Sequence, residues 1–186
     1  MKIKLIPFNN RCNQRLLRFF NNLKLSLLCA LLLMFSRGAF AAEQSLEAFE
    51  KFKAEGEQLY DVGDFRAAQK TWEVGLELSR SEEDKAWEAS FLAKLAQLQG
   101  DIGNYDIAFN FFEKAVTIYK SQNDEKSLAD CYLKTGRIYA KLAKYKEAFA
   151  YNKKAMYIYK KLALKEGQLS ALSDLGEFYT DEGEYK

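Results

Sequence analysis

Residues 92–115 read LAKLAQLQGDIGNYDIAFNFFEKA, and residues 132–155 read YLKTGRIYAKLAKYKEAFAYNKKA. Laid over each other at a step of 40, they share their punctuation: Ala96 with Gly136, Gly103 with Ala143, Tyr105 with Tyr145, Ala108 with Ala148, and Ala115 with Ala155. The columns extend outward in both directions. Gly56 and Gly176 join the first, Gly63 and Gly183 the second, Phe65 and Tyr185 the third, Ala68 the fourth and Gly75 the fifth. Leu78, Ile118 and Ile158 form one more. Columns that keep one register across the chain mark a tandem repeat.

The physical reading is a repeated helical hairpin. A small residue in the first column lets two helices approach closely. The glycine seven residues later ends the first helix, where a left-handed residue is cheap. The aromatic two residues on opens the second helix, and the alanine three further again permits close packing. Phe91, Leu92, Leu95 and Leu98 recur at helical spacing before Gly103; Phe109, Phe112, Val116 and Tyr119 do so after it. The third unit repeats this with Tyr132, Thr135, Tyr139 and Leu142, then Phe149, Met156 and Tyr159. Pro7 is the one proline, so nothing interrupts helices later in the chain. The pattern predicts helices at 44–62, 65–79, 84–101, 105–121, 125–142, 145–163 and 166–182. Ser81 and Ser121, in polar stretches between units, are expected to cap the next helix.

The pattern resembles the tetratricopeptide repeat. Unit two supplies Leu92, Leu95-Ala96, Gly103-Asn104-Tyr105, Ala108, Phe112 and Ala115. Unit one supplies Phe52, Gly56, Gly63-Asp64-Phe65, Ala68, Trp72 and Gly75; unit four supplies Leu172, Leu175-Gly176 and Gly183-Glu184-Tyr185. The units are six residues longer than the usual 34 and lack the closing proline, as in the repeats of bacterial signalling proteins and of kinesin light chain. In unit three Asn152 replaces the second-helix aromatic and Ala143 the turn glycine. The resemblance implies an all-α, right-handed superhelical solenoid of about 3.5 repeats, with units near 49–88, 89–128 and 129–168 and an incomplete one at 169–186.

It also implies a concave face lined by the first helices, suited to an extended peptide or a partner helix. By phase, the lining residues are Lys53, Glu57 and Tyr60, then Lys94, Gln97 and Asp101, then Asp130, Lys134, Arg137 and Lys141, with Glu177 closing the row. Related modules grip a terminal carboxylate with Lys, Asn and Arg in this groove. The pairs here are Lys53/Glu57, Ala93/Gln97, Leu133/Arg137 and Ser173/Glu177, which do not reproduce that clamp.

The first 41 residues form an address. They hold seven basic residues and no acid, then an uncharged run at Leu25–Ser36, then Ala39-Phe40-Ala41. The run of 12 is short for a bilayer span, and the A-x-A pattern predicts a secretory signal peptide cleaved after Ala41. An uncleaved anchor is the competing reading and the one route by which a membrane would enter. The repeat domain, 42–186, is therefore expected in the periplasm or otherwise exported.

Residues 42–186 hold 21 basic and 26 acidic residues, a balance that disfavours nucleic acid as a partner. The charge is polarised: 43–88 carries a net −7 and 129–168 a net +7. That asymmetry suits an oriented protein partner or head-to-tail self-association. Histidine is absent, which excludes imidazole as a base or metal ligand. No nucleophile elbow, phosphate loop or metal-spaced ligand set occurs, so neither an enzyme activity nor a cofactor is expected. Glu82-Glu83-Asp84 reads as capping residues, and Cys131 as a packed thiol. Tyr151, Tyr157 and Tyr159 read as mostly core.

These readings converge on an exported module that binds a protein or peptide and acts as adaptor or scaffold. The alternative is the periplasmic sensor region of a longer signalling enzyme, such as a histidine kinase, a diguanylate cyclase or a caspase-like protease.

Overall fold

The computed structural model describes residues 43–184, so the leader, its cleavage site and Tyr185 lie outside the described residues. The described residues form seven helices and no strand: α1 (43–61), α2 (Phe65–Ser81), α3 (Lys85–Asp101), α4 (Tyr105–Gln122), α5 (Glu125–Lys141), α6 (Tyr145–Lys161) and α7 (Lys165–Glu184). Every boundary between successive helices falls within two residues of the expectation from spacing. Each helix packs on its neighbour in sequence, and first helices also touch across units, α3 on α5 and α5 on α7. This is an all-α solenoid of stacked helical hairpins.

The forty-residue period resolves into a twenty-residue one at the turns. Left-handed residues stand at Gly63, Glu83, Gly103, Asn123, Ala143 and Ala163. Each turn closes with the same backbone bond, from the residue after the left-handed one to a carbonyl five residues back. Asp64 N–H donates to Leu59 O at 2.9 Å, Asn104 to Gln99 at 2.8 Å and Lys144 to Tyr139 at 2.9 Å. Ala143 therefore makes the turn its glycine counterparts make, at a φ of 55°. Gly183 does not, because it lies inside α7.

Capping corrects one expectation. The N-caps of α2, α3 and α5 are Asp64, Asp84 and Asp124, whose carboxylates accept from Ala67, from Ala86 and Trp87, and from Ser127. Ser81 and Ser121 donate backwards instead, to Leu78 O at 2.8 Å and Ile118 O at 2.7 Å. A serine in the last helical turn bonds back to the carbonyl three residues before it, while the aspartate sits at the cap position itself.

The small-residue columns do what their size suggests. Ala68, Ala108 and Ala148 are fully buried, as are Ala115 and Ala155. A Cβ on Gly56 would collide with the indole of Trp72, which is itself buried. The core forms two clusters. One gathers Phe49, Trp72, Phe91, Leu92 and Leu95; the other gathers Ala129, Leu133, Met156 and Tyr159. Around Gly176, in the same column as Gly56, the space is open. Ser173, Glu177 and Thr180 of α7 face water, and so do Leu169, Leu172 and Tyr179.

Candidate functional site

The lining residues named from phase fall on the first helices: Lys53, Glu57 and Tyr60 on α1; Lys94, Gln97 and Asp101 on α3; Asp130, Lys134, Arg137 and Lys141 on α5; Glu177 on α7. Most of them touch one another. Lys94 Nζ pairs with Glu57 Oε1 at 2.5 Å. Gln97 Nε2 donates to Tyr60 Oη at 3.1 Å, and Tyr60 donates to Asp101. Lys134 donates to the side-chain carbonyl of Gln97. Lys141 Nζ reaches Asp101 Oδ1 at 2.9 Å, and Arg137 Nε reaches Asp174 Oδ2 at 2.7 Å. These contacts make a polar ladder from α1 to α7.

Register explains the ladder. Lys94–Glu57, Gln97–Tyr60, Lys134–Gln97 and Arg137–Asp174 all span 37 residues. That is one repeat less three residues, close to one helical turn. A side chain on one first helix thus meets the preceding turn's position on the neighbouring one. At Lys94–Glu57 and Arg137–Asp174 the charges at this offset are opposite, so the ladder fixes the register of stacking as well as lining a surface.

Electrostatics single out Lys134. The residue is half-buried, and among the described residues no carboxylate lies within ion-pair distance of its ammonium. Burial, then the neighbouring charge of Lys94, pulls its pKa below the ordinary lysine value. Burial, then the hydrogen bond to Asp101, raises that of Tyr60. Asp130 accepts from the hydroxyl of Tyr159 at 2.6 Å, and burial drives that phenol upward. Lys53 lies outside the ladder, with its ammonium 5.7 Å from the centre of the Trp87 ring. Glu177 is exposed and also stands apart.

Beside the ladder, between α5 and α7, runs a groove of about 580 Å³. Asp130, Lys134, Arg137, Tyr159, Lys165 and Ser170 line it. Phase reasoning found the first three. It missed Tyr159 and Lys165, which come from the second helix and the start of α7. Ser170 is half-buried there and accepts from Arg137 at 3.4 Å. A row of hydrogen-bonding side chains with one underused cation can hold a peptide. Among the described residues no cluster of three or more acids and thiols is arranged to hold a metal ion.

Comparison with known proteins agrees with this architecture. The tetratricopeptide repeat family matches residues 128–163. No curated protein sequence matches the chain. Among solved structures, BtubC (BKLC) from P. vanneervenii superposes with a TM-score of 0.63 at 22% identity, over 72% of this chain and 55% of that one. The chain thus spans little more than half of BtubC. The N-terminal domain of stress-induced protein-1 (STI-1) from C. elegans superposes with a TM-score of 0.52 at 19% identity, over 68% of this chain and 96% of that domain. Residues 128–163 of the stack thus match the tetratricopeptide repeat, and the described hairpins share the fold of these solved structures.

Proposed function

We propose that the chain is an exported interaction module whose first-helix face holds an extended segment of a protein partner. The observation that carries the reading is Lys134. It is a half-buried lysine beside an open groove, bound within the chain to an amide and to no carboxylate among the described residues. A carboxylate from a partner supplies the charge-assisted bond that Gln97 does not. Export rests on the uncharged run Leu25–Ser36 followed by Ala39-Phe40-Ala41.

The ladder decides which variant tests this cleanly. Arg137 and Lys141 already hold Asp174 and Asp101, so reversing them disturbs the stack. Lys134→Glu removes the unpaired cation and leaves both ion pairs in place. In a cross-linking capture from the producing cell, Lys134→Glu is expected to abolish the partner adduct while the melting curve stays close to that of the parent. Undiminished capture at low ionic strength would remove Lys134 from the account. Mass spectrometry of the exported protein is expected to find Ala42 at the N-terminus, and an intact Met1 would favour the anchor.

A further inference from the structure

Two grooves lie between the helices of a hairpin, one in unit two and one in unit three, and they are the same groove 40 residues apart. The first, about 670 Å³, is lined by Glu88, Leu92, Glu113, Lys114, Thr117 and Ile118 among others. The second, about 490 Å³, has Leu128, Tyr132, Lys153, Lys154, Tyr157 and Ile158 in the corresponding places. Leu128 and Tyr132 lie roughly half a turn round α5 from Asp130, Lys134 and Arg137. This is not the ladder face.

The chemistry has changed between the two copies. In unit two the groove is charge-balanced: Glu88 is buried and holds Lys85 at 2.7 Å and Arg80 at 3.1 Å, and Glu113 and Lys114 both belong to the lining. In unit three leucine replaces Glu88, lysine replaces Glu113 and tyrosine replaces Thr117. The groove keeps Lys154, gains Lys153 and loses both acids. Among the described residues neither ammonium has a carboxylate within ion-pair distance. Lys154 is held over the rings of Tyr151 and Tyr132, 4.5 and 5.6 Å from their centres, which fixes its position and leaves its N–H groups open. Tyr157 is 72% exposed, so packing within the stack does not account for an aromatic there.

We infer that the α5–α6 groove is a second docking surface, for an acidic peptide segment of a partner protein. Carboxylates of that segment meet Lys153 and Lys154. One of its apolar side chains enters between Tyr132 and Tyr157 onto the floor of Leu128 and Ile158. Charge complementarity commits the occupant: the lining has two cations, two phenol rings, aliphatic carbon and no acid.

The test uses the full chain and a fluorescein-labelled peptide alternating Glu and Leu, with its Gln–Leu counterpart as control, followed by fluorescence anisotropy at low ionic strength. The Glu–Leu peptide is expected to bind at least about tenfold more tightly than the control. Lys153→Glu with Lys154→Glu is expected to weaken it by about tenfold or more, and Tyr157→Thr severalfold. Lys153→Gln with Lys154→Gln is expected to weaken it without introducing repulsion, with an unchanged melting curve. Lys134→Glu is expected to leave this binding alone, which separates this groove from the ladder face. Equal binding by the lysine variants would overturn the inference. Loss of binding in Lys134→Glu would move the acidic site to the ladder face. Self-association abolished by the lysine reversals would replace the peptide with a second copy.

Discussion

Arg137 Nε donates to Asp174 Oδ2 at 2.7 Å, across the same 37 residues that separate Gln97 from Tyr60. The pair is lopsided: the Asp174 side chain is 7% exposed and that of Arg137 44%. Removing either partner therefore has different consequences. Arg137→Met leaves a buried carboxylate without its cation and is expected to cost about 2 kcal/mol. Asp174→Ala leaves a guanidinium that can turn to water and is expected to cost about 1 kcal/mol. Urea unfolding midpoints of the two variants order them. The reverse order would mean that the arginine, not the aspartate, is the desolvated partner.

One column of the repeat gives opposite signs for one substitution. At Gly56 an added methyl meets the buried Trp72 indole, so Gly56→Ala is expected to destabilise by about 1–3 kcal/mol. At Gly176 nothing stands within 4 Å, and alanine is the better helix former, so Gly176→Ala is expected to stabilise by up to about 1 kcal/mol. Thermal melts read both, and a loss of stability in Gly176→Ala would mean that the face is covered.

Asn152 is fully buried, and neither atom of its side-chain amide has a protein hydrogen-bond partner among the described residues. Its counterparts are Trp72 and Phe112, both core residues. Asn152→Leu is expected to stabilise the chain by about 1–2 kcal/mol, because it removes an unmet polar group without overfilling the site. A destabilised variant in chemical denaturation would show that the amide is satisfied.

Cys131 is 2% exposed, and burial pushes its thiol up to about 12. The native thiol is therefore expected to react with iodoacetamide at pH 8 at least a hundredfold more slowly than in urea, on the order of its lost thiolate fraction. Peptide mapping separates it from Cys12 and Cys29. The linkage has a sign: the folded value lies above the ordinary 9.0, so this contribution to stability is complete below about pH 9 and fades toward pH 12. Rapid native labelling would contradict the buried position.

The helices were legible because their punctuation repeats. A turn that needs a left-handed residue and a close contact that needs Ala or Gly leave few choices, so Gly103, Ala108 and Ala115 announce themselves. The family's phase rule also placed Lys134 and Arg137 on the face where the ladder runs. Their partners were not legible, since a contact across 37 residues combines the repeat with the helical turn. Opposite charges at that offset, Glu57 with Lys94 and Arg137 with Asp174, are nevertheless present in the sequence as a signal. Tyr157 shows the limit of composition. It reads as core beside Tyr151 and Tyr159, but its phase on α6 turns it outward while Tyr159 goes in. Ser81 and Ser121 failed as caps because a neighbouring aspartate held the better position.

The proposed holding of a partner on the first-helix face is open to direct measurement. The most direct measurement places a photo-cross-linking amino acid at Lys53, Ala93 or Glu177 on that face, and at Glu73 on the exposed side of α2 as reference, in the producing cell. The account predicts one discrete adduct from the first three positions, absent from Glu73 and lost when Lys134→Glu is added. Adducts of equal yield from both sides, or an adduct indifferent to Lys134→Glu, would contradict it.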